Sequence, residues 1–329
     1  MSTSVKAGRH PLAVRCLALA GYVLLGLRAL AQVAGPQAPI RPSEQAQPGG
    51  KPIQVNVQLA LVNVTVTDPY GRLVTGLEKD NFHIFEDGVA QEIVNFSSED
   101  VPISIGIVLD MSGSMSDKVD KARQAVVQFL KTANPRDEFF LVSINDQAEL
   151  TTRFTSSVEE LQNQMLFTKA KGETALLDGI YLGLNQMRLA RNGRRALLII
   201  SDGGDNHSRY SESDIRNFVK ESDCQLYSIG VFDANDMGRT AEEQYGPTLL
   251  SEIAELSGGR VFPVGSLNDL PDIASKIGTE LRNQYVLGYK PSDSRHDGTW
   301  RKIKVKLKPP KGVPPLNVYA KTGYLAPNQ

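Results

Sequence analysis

The rhythm of apolar and polar positions changes twice along the chain. Apolar residues first fall at alternate positions, at Ile53, Val55, Val57, Leu59 and Leu61, and the phase then slips by one to Val62, Val64 and Val66. Alternation with period two predicts half-buried strands. A one-residue slip turns every following side chain to the other face, so this stretch is expected to hold a bulge or to change strand partners. Phe82 and Ile84, then Val94 and Phe96, predict further short strands between turn signals at Asp68-Pro69-Tyr70-Gly71 and Glu86-Asp87-Gly88. From Val101 the texture becomes continuous apolar runs at 103–110, 139–144, 196–201 and 225–231, with a short edge strand at 149–154, read from its polar content, and another strand at 260–264. Between them lie helical patterns near 118–132, from 158, and over 175–190, 213–221, 248–256 and 270–282. Buried strands alternating with helices predict an α/β fold, a doubly wound and mostly parallel sheet covered on both faces.

The tail returns to alternation. Tyr285 to Tyr289 reads as one strand, Ile303, Val305 and Leu307 alternate with Lys302, Lys304, Lys306 and Lys308, and Leu316 to Ala320 reads as a last strand. The lysines are expected to be the solvated face of a strand guarding a sheet edge against aggregation, with a basic patch for an anionic partner as the alternative. The β segments 53–98 and 284–325 are each too short to bury a core alone. They flank a complete α/β unit at 101–283, so they are expected to pair into one small β-sandwich-like domain with that unit inserted between them.

Composition sharpens the outline. A chain of 329 residues that is 41% hydrophobic and 22% charged excludes collagen-like, coiled-coil and wholly disordered classes. A net charge of −1 argues against a nucleic-acid partner. At the N-terminus, Lys6, Arg9 and Arg15 precede an apolar run from Cys16 to Leu27, and Ala29-Leu30-Ala31 follows as an A-x-A-like site. That order describes a secretory signal over 1–31. The run is shorter than the roughly 20 residues a membrane span needs, which leaves an uncleaved anchor as the alternative. The expected location is the periplasm, the cell surface or the medium, with no membrane span after cleavage. Cleavage removes Cys16, so Cys224 is left without a disulfide partner and is expected to be buried. The Pro-, Gln- and Gly-rich stretch 32–52 reads as a linker.

The candidate chemistry lies at strand ends. Asp110-Met111-Ser112-Gly113-Ser114 closes the first buried strand as D-x-S-x-S. Thr174 follows Gly172-Glu173 just before a helix, and Asp202 caps the strand 196–201. In open α/β sheets, ligands bind outside the carboxyl ends of the strands, so three polar clusters can converge there. Hydroxyls and carboxylates are hard oxygen ligands suited to Mg²⁺, and also to Mn²⁺ or Ca²⁺. Three neutral hydroxyls and two acids leave such an ion electrophilic, with room for an incoming anionic oxygen. The bland alternative is a set of helix N-caps.

With these motifs in order, the segment 101–283 resembles a von Willebrand factor type A domain with a metal-ion-dependent adhesion site. The resemblance implies that Asp110, Ser112, Ser114, Thr174 and Asp202 hold one divalent ion, directly or through water. It implies a non-enzymatic module that captures a protein partner presenting an Asp or Glu carboxylate. Integrin-type members carry a second metal site served by two acids soon after the last serine. Here Asp117 is followed by Lys118, so that second site is not expected. Nearly the whole chain is also similar to bacterial exported VWFA-related proteins, in the segment VTVTDPYGRLVTGLEKDNFHIFEDG and in the tail YVLGYKP…DGTWRKIKVK…KTGYLAP. A metal-dependent hydrolase is the second function to weigh. It needs a base beside the ion, for which Glu173, Asp205 and His207 are the neighbours, and the chain has no Walker loop, H-E-x-x-H or G-x-S-x-G. The third is a structural envelope protein with a vestigial site.

Overall fold

The structure, a computed structural model, describes residues 59–231 and 241–328 apart from 311 and 313. The expected signal and linker lie outside the described residues. The first stretch forms β1 (Ala60–Thr67), β2 (Phe82–Glu86), β3 (Val89–Gln91) and β4 (Ile93–Ser97). The central stretch runs β5 (Ile103–Asp110), α1 (Val119–Leu130), β6 (Glu138–Ile144), β7 (Ala148–Thr155), α2 (Val158–Phe167), α3 (Leu176–Met187) and β8 (Arg194–Ser201). It continues through α4 (Glu212–Glu221), β9 (Gln225–Gly230), α5 (Ala241–Ser257), β10 (Val261–Pro263) and α6 (Leu270–Arg282). The tail adds β11 (Tyr285–Tyr289), β12 (Trp300–Leu307), β13 (Asn317–Ala320) and β14 (Gly323–Leu325).

The central sheet has the order β10-β9-β8-β5-β6-β7, parallel except for the antiparallel edge strand β7. Its inner strands are buried on both sides, which is why they read as unbroken apolar runs. Ile103, Ile105, Ile107 and Leu109 point to one face, against Phe129 and Val126 of α1 and Ile277 and Leu281 of α6. Val108, Phe140, Val142 and Ile199 point to the other, against Ile180 and Leu184 of α3, Val219 of α4 and Ile253 of α5. Each fully buried Leu, Ile or Phe is worth about 1.5–3 kcal/mol, so these two layers dominate the stability of the unit. Helix starts follow local chemistry: Ser157 caps α2, and Ser211 with Asp214 forms a capping box on α4.

The flanking segments interleave in two further sheets, ordered β13-β1-β11-β4 and β14-β12-β2-β3. Val62, Val64 and Val66 of β1 meet Phe82 and Ile84 of β2, Tyr285 and Leu287 of β11 and Ile303 of β12 in one core. The phase slip in the sequence has its explanation here. β1 runs without a bulge, pairing with β11 over Ala60 to Val64 and with β13 over Val64 to Thr67. Leu59 and Leu61 face away from the sandwich core and stay 44% and 46% exposed. Thr65 and Thr67 share their face and are buried. Gln284, between α6 and β11, donates to Thr65 Oγ1 (3.0 Å) and to Tyr227 Oη (3.1 Å) of β9, tying the sandwich to the central unit.

β12 pairs with β14 over Trp300 to Lys302 and with β2 over Ile303 to Leu307, so Lys302 has a strand beyond it, whereas Lys304 and Lys306 lie where one side of β12 has no paired strand among the described residues, as expected for lysines at a sheet edge. Cys224 is buried, and burial pushes its thiol well above the ordinary range. Among the described residues, no helix is long and apolar enough to cross a membrane.

Candidate functional site

From β5 the chain winds outward to β6, and it later returns to β8 on the other side, so the winding reverses between β5 and β8. Such a reversal opens a crevice at the carboxyl ends of the two strands. Asp110 is the last residue of β5, and Asp202 follows the last residue of β8.

Three loops meet at this crevice and are stitched by main-chain hydrogen bonds. Gly113 N donates to Gly172 O (2.9 Å) and Lys171 N to Met111 O (2.9 Å), joining the D-x-S-x-S loop to the threonine loop. Asn206 N and His207 N both donate to Thr174 O (3.1 Å each), and Thr174 N donates to Asn206 Oδ1 (2.9 Å), joining the threonine loop to the loop after β8. Gly172 has φ +79°, and a Cβ there would collide with the carboxylate of Asp146, which itself accepts from Glu173 N at 2.8 Å. Only glycine suits that position.

Asp110 and Ser112 are fully buried, Thr174 and Asp202 nearly so, and Ser114 is exposed. Asp110 Oδ1 accepts from Ser112 N (2.9 Å), and Oδ2 accepts from Ser201 Oγ (2.6 Å). The Ser112 and Ser114 hydroxyls share a hydrogen bond at 3.1 Å. Asp202 Oδ2 accepts from Lys118 Nζ at 3.2 Å, whereas its Oδ1 is buried without a hydrogen-bond partner. Burial, and then the nearby charge of Asp202, pushes the Asp110 carboxyl up to about 6. None of the five candidate residues caps an α-helix: the N-cap positions are Lys118 for α1 and Ala175 for α3, each without a side-chain cap bond. Their polar atoms are therefore not consumed as helix caps.

Three neighbours were not legible as part of the site. Ser201 looks like the polar end of an apolar strand, yet it donates to Asp110 and accepts from Gly203 N (3.0 Å). Lys118 stands out in the sequence only as an interruption after Asp117, and its partner lies 84 residues away. Asn206 has no signal beyond its place two residues before Ser208 in a polar loop. The possible bases are otherwise engaged or outward. Asp205 Oδ1 accepts from Ser208 Oγ (2.6 Å) and Leu177 N (3.3 Å), while Glu173 and His207 are exposed.

A family model described as von Willebrand factor type A domain matches residues 105–204, a span that contains all five candidate residues. The chain carries a von Willebrand factor type A domain. The chain is similar to human inter-alpha-trypsin inhibitor heavy chain H4, 24% identical over 142 residues, 39% of this chain and 15% of that protein. It is also similar to an uncharacterized protein of Borreliella burgdorferi, 21% identical over 182 residues, 49% of this chain and 53% of the other. The chain therefore spans only a part of each relative's length. Among solved structures, a von Willebrand factor type A protein from Catenulispora acidiphila aligns over 82% of this chain and 75% of its own, with 12% identity and a TM-score of 0.46. The PilB minor pilin of Streptococcus sanguinis aligns over 57% and 63%, with 14% identity and a TM-score of 0.45.

The donor set can be tested against a divalent ion on its own chemistry. Every candidate ligand is an oxygen, the class that hard cations prefer. Asp202 Oδ1 is an orphaned buried carboxylate oxygen, and the Lys118 ammonium beside Oδ2 is a positive charge drawn to the same carboxylate. Among the described residues there is no cluster of three or more His, Cys, Asp or Glu. The residues fit Mg²⁺ or Mn²⁺.

Proposed function

We propose that the protein is an exported, non-enzymatic binding module whose VWA domain captures a protein partner through a divalent ion held by Asp110, Ser112, Ser114, Thr174 and Asp202. The observation that carries this reading is the buried, orphaned Asp202 Oδ1, near enough to Asp110 for the two charges to be felt, at the meeting of loops whose Ser112, Ser114 and Thr174 hydroxyls cap no α-helix. An unpartnered buried carboxylate oxygen costs several kcal/mol, and a cation is the partner that relieves it. Mg²⁺ is the preferred ion, with Mn²⁺ and Ca²⁺ as substitutes. When bound, the ion supplies an oxygen-seeking position that a partner's Asp or Glu carboxylate can take.

The chain's own groups have distinct tasks. Asp110 and Asp202 supply the negative charge, and Ser201 holds the Asp110 carboxylate in place. Ser112, Ser114 and Thr174 supply neutral oxygens, so the site stays short of charge and favours an anionic partner atom. Ser114 is the exposed member of the set and marks the side from which a partner approaches. Binding is favoured over hydrolysis because Asp205 is tied to Ser208 and Leu177, while Glu173 and His207 are exposed with no side-chain hydrogen bond among the described residues to orient them.

The test is a pull-down from envelope extract with the full mature chain, in Mg²⁺ and in EDTA. The expected result is one or more proteins retained in Mg²⁺, lost in EDTA and lost with Asp110→Ala. Phosphoesterase or peptidase turnover abolished by Asp110→Ala would replace this reading with the hydrolase. Export is tested by N-terminal sequencing of native protein, which should begin at or near Gln32.

A further inference from the structure

The second sheet of the sandwich turns a charged face to solvent that the VWA site does not use. Lys302, Lys304, Lys306 and Lys308 project from one side of β12, all exposed. Alternate residues of a strand are roughly 6.6–6.8 Å apart, so the four ammonium groups form a row about 20 Å long. Among the described residues, no carboxylate pairs with any of the four, although acids satisfy the cations around them: Arg301 is held by Asp293 and Asp297, and Lys321 by Asp223. β14 pairs with Trp300 to Lys302 only, so edge protection applies at Lys304 and Lys306 and leaves the rest of the row, and the rings beside it, to be accounted for.

Two half-buried aromatic rings lie within this face. Phe85 of β2 is directly opposite Lys304, and Lys306 Nζ sits 4.8 Å from its ring centre. Trp300 opens the strand. Together with Asp87, Lys302, Lys304, Lys306 and Thr322 they line a shallow depression of about 790 Å³, in which the Asp87 carboxylate accepts from Lys302 N at 3.0 Å. His83 lies exposed opposite Lys306 on the same face.

From this placement we infer that the outer face of β12 and β2 is a binding surface for a linear anionic polysaccharide. A single row of evenly spaced point charges fits a chain polymer with regularly spaced acidic groups, and the two rings offer flat apolar surfaces to the C–H faces of sugar rings. The row is all lysine, with no arginine to grip phosphate in the bidentate manner that phosphodiester recognition favours. Arg301, the one arginine of the strand, turns inward. A bilayer is a poorer match because the charge is a line and not a patch. This surface is independent of the metal reading, since its residues lie in the sandwich.

The test uses the full mature chain and polygalacturonate oligomers, followed by calorimetry in low and physiological salt. The wild type is expected to bind, and more weakly as salt rises. Lys304→Gln/Lys306→Gln should weaken binding by roughly tenfold or more, since each exposed charge contact is worth up to about a factor of five. The matched control Lys131→Gln/Lys169→Gln should bind as the wild type does. Unchanged melting temperatures in both variants will show that the fold is intact. Addition of EDTA should leave this binding unaltered, which separates it from the VWA site. Absence of polygalacturonate binding, equal binding in the double variant, or tighter binding of an oligothymidylate or of phosphatidylglycerol vesicles would overturn the assignment.

Discussion

Replacing Lys118 by methionine removes the ammonium that sits 3.2 Å from Asp202 Oδ2 and keeps an unbranched stem of similar length. In the ion-free protein, Asp202 is nearly buried, close enough for its charge to raise Asp110, and Lys118 is the cation paired with it. Removing one partner of a buried pair costs about 3–5 kcal/mol. The Lys118 side chain is 19% exposed, which places this pair below that range, at about 2–3 kcal/mol. In EDTA, the variant should therefore melt roughly 4–12 °C lower, at about 2–4 °C per kcal/mol for a domain of this size. With a divalent ion bound, like charge excludes the ammonium from the carboxylate, so Lys118 contributes little there. By linkage, the stability lost only from the ion-free state reappears as ion affinity. Mg²⁺ should bind roughly 30- to 100-fold tighter to Lys118→Met than to the wild type, since each 1.4 kcal/mol is tenfold. Calorimetric titration and melting curves in EDTA and in excess Mg²⁺ supply both numbers. Weaker Mg²⁺ binding in the variant, or an unchanged melting temperature in EDTA, would refute the view of Lys118 as a tethered stand-in for the ion.

Other outcomes follow from the same geometry. Ser112→Ala and Thr174→Ala each delete one neutral oxygen, so Mg²⁺ affinity should fall by roughly tenfold while melting in EDTA shifts by less than about 3 °C, as expected for loss of one polar contact. Gly172→Ala meets both a positive φ and the Asp146 carboxylate, and should lower stability by about 2 kcal/mol or more and weaken Mg²⁺ through the displaced Thr174 loop. The Asp110 carboxyl is raised from 3.8 to about 6 in the fold. Between those values the folded chain keeps a proton that the unfolded chain has released, so this group's contribution to ion-free stability falls as pH rises from about 4 to 6. The full fall is on the order of 3 kcal/mol at about 1.4 kcal/mol per pH unit. Urea melts of wild type and Asp110→Asn in EDTA should converge at low pH and separate in favour of the variant above pH 6.

Much of the central unit could be read from local pattern, because its signals are local. Strands buried on both faces read as apolar runs, helices carry 3.6-residue spacing, and Ser211 with Asp214 announces a helix start. Even the edge position of β7 was visible in its polar content, from Ala148 to Thr155. Pairing order was less legible, because it depends on residues far apart in the chain. The lysines of β12 look like edge guards along their whole length, yet β14 lies beside the strand at Lys302. The phase slip at Leu61 and Val62 fits either a bulge or a change of partners, and only the pairing of β1, straight from β11 to β13, decides for the second. At the site, the five oxygen-bearing residues were legible because D-x-S-x-S, the threonine and the second acid each sit at a predicted strand or loop end. Ser201 and Lys118 were not, since a serine ending an apolar strand and a lysine starting a helix carry no mark of their partners until the loops converge.

The central claim is that Asp110, Ser112, Ser114, Thr174 and Asp202 hold one divalent ion. Calorimetric titration of the mature wild-type chain with Mg²⁺ and Mn²⁺, beside Asp110→Ala and Asp202→Ala, tests it most directly. The account predicts one ion bound by the wild type, a melting temperature that rises with ion concentration because the unfolded chain has no such site, and both effects lost in the two alanine variants. An absence of binding to the wild type, or equal binding in the variants, would contradict it.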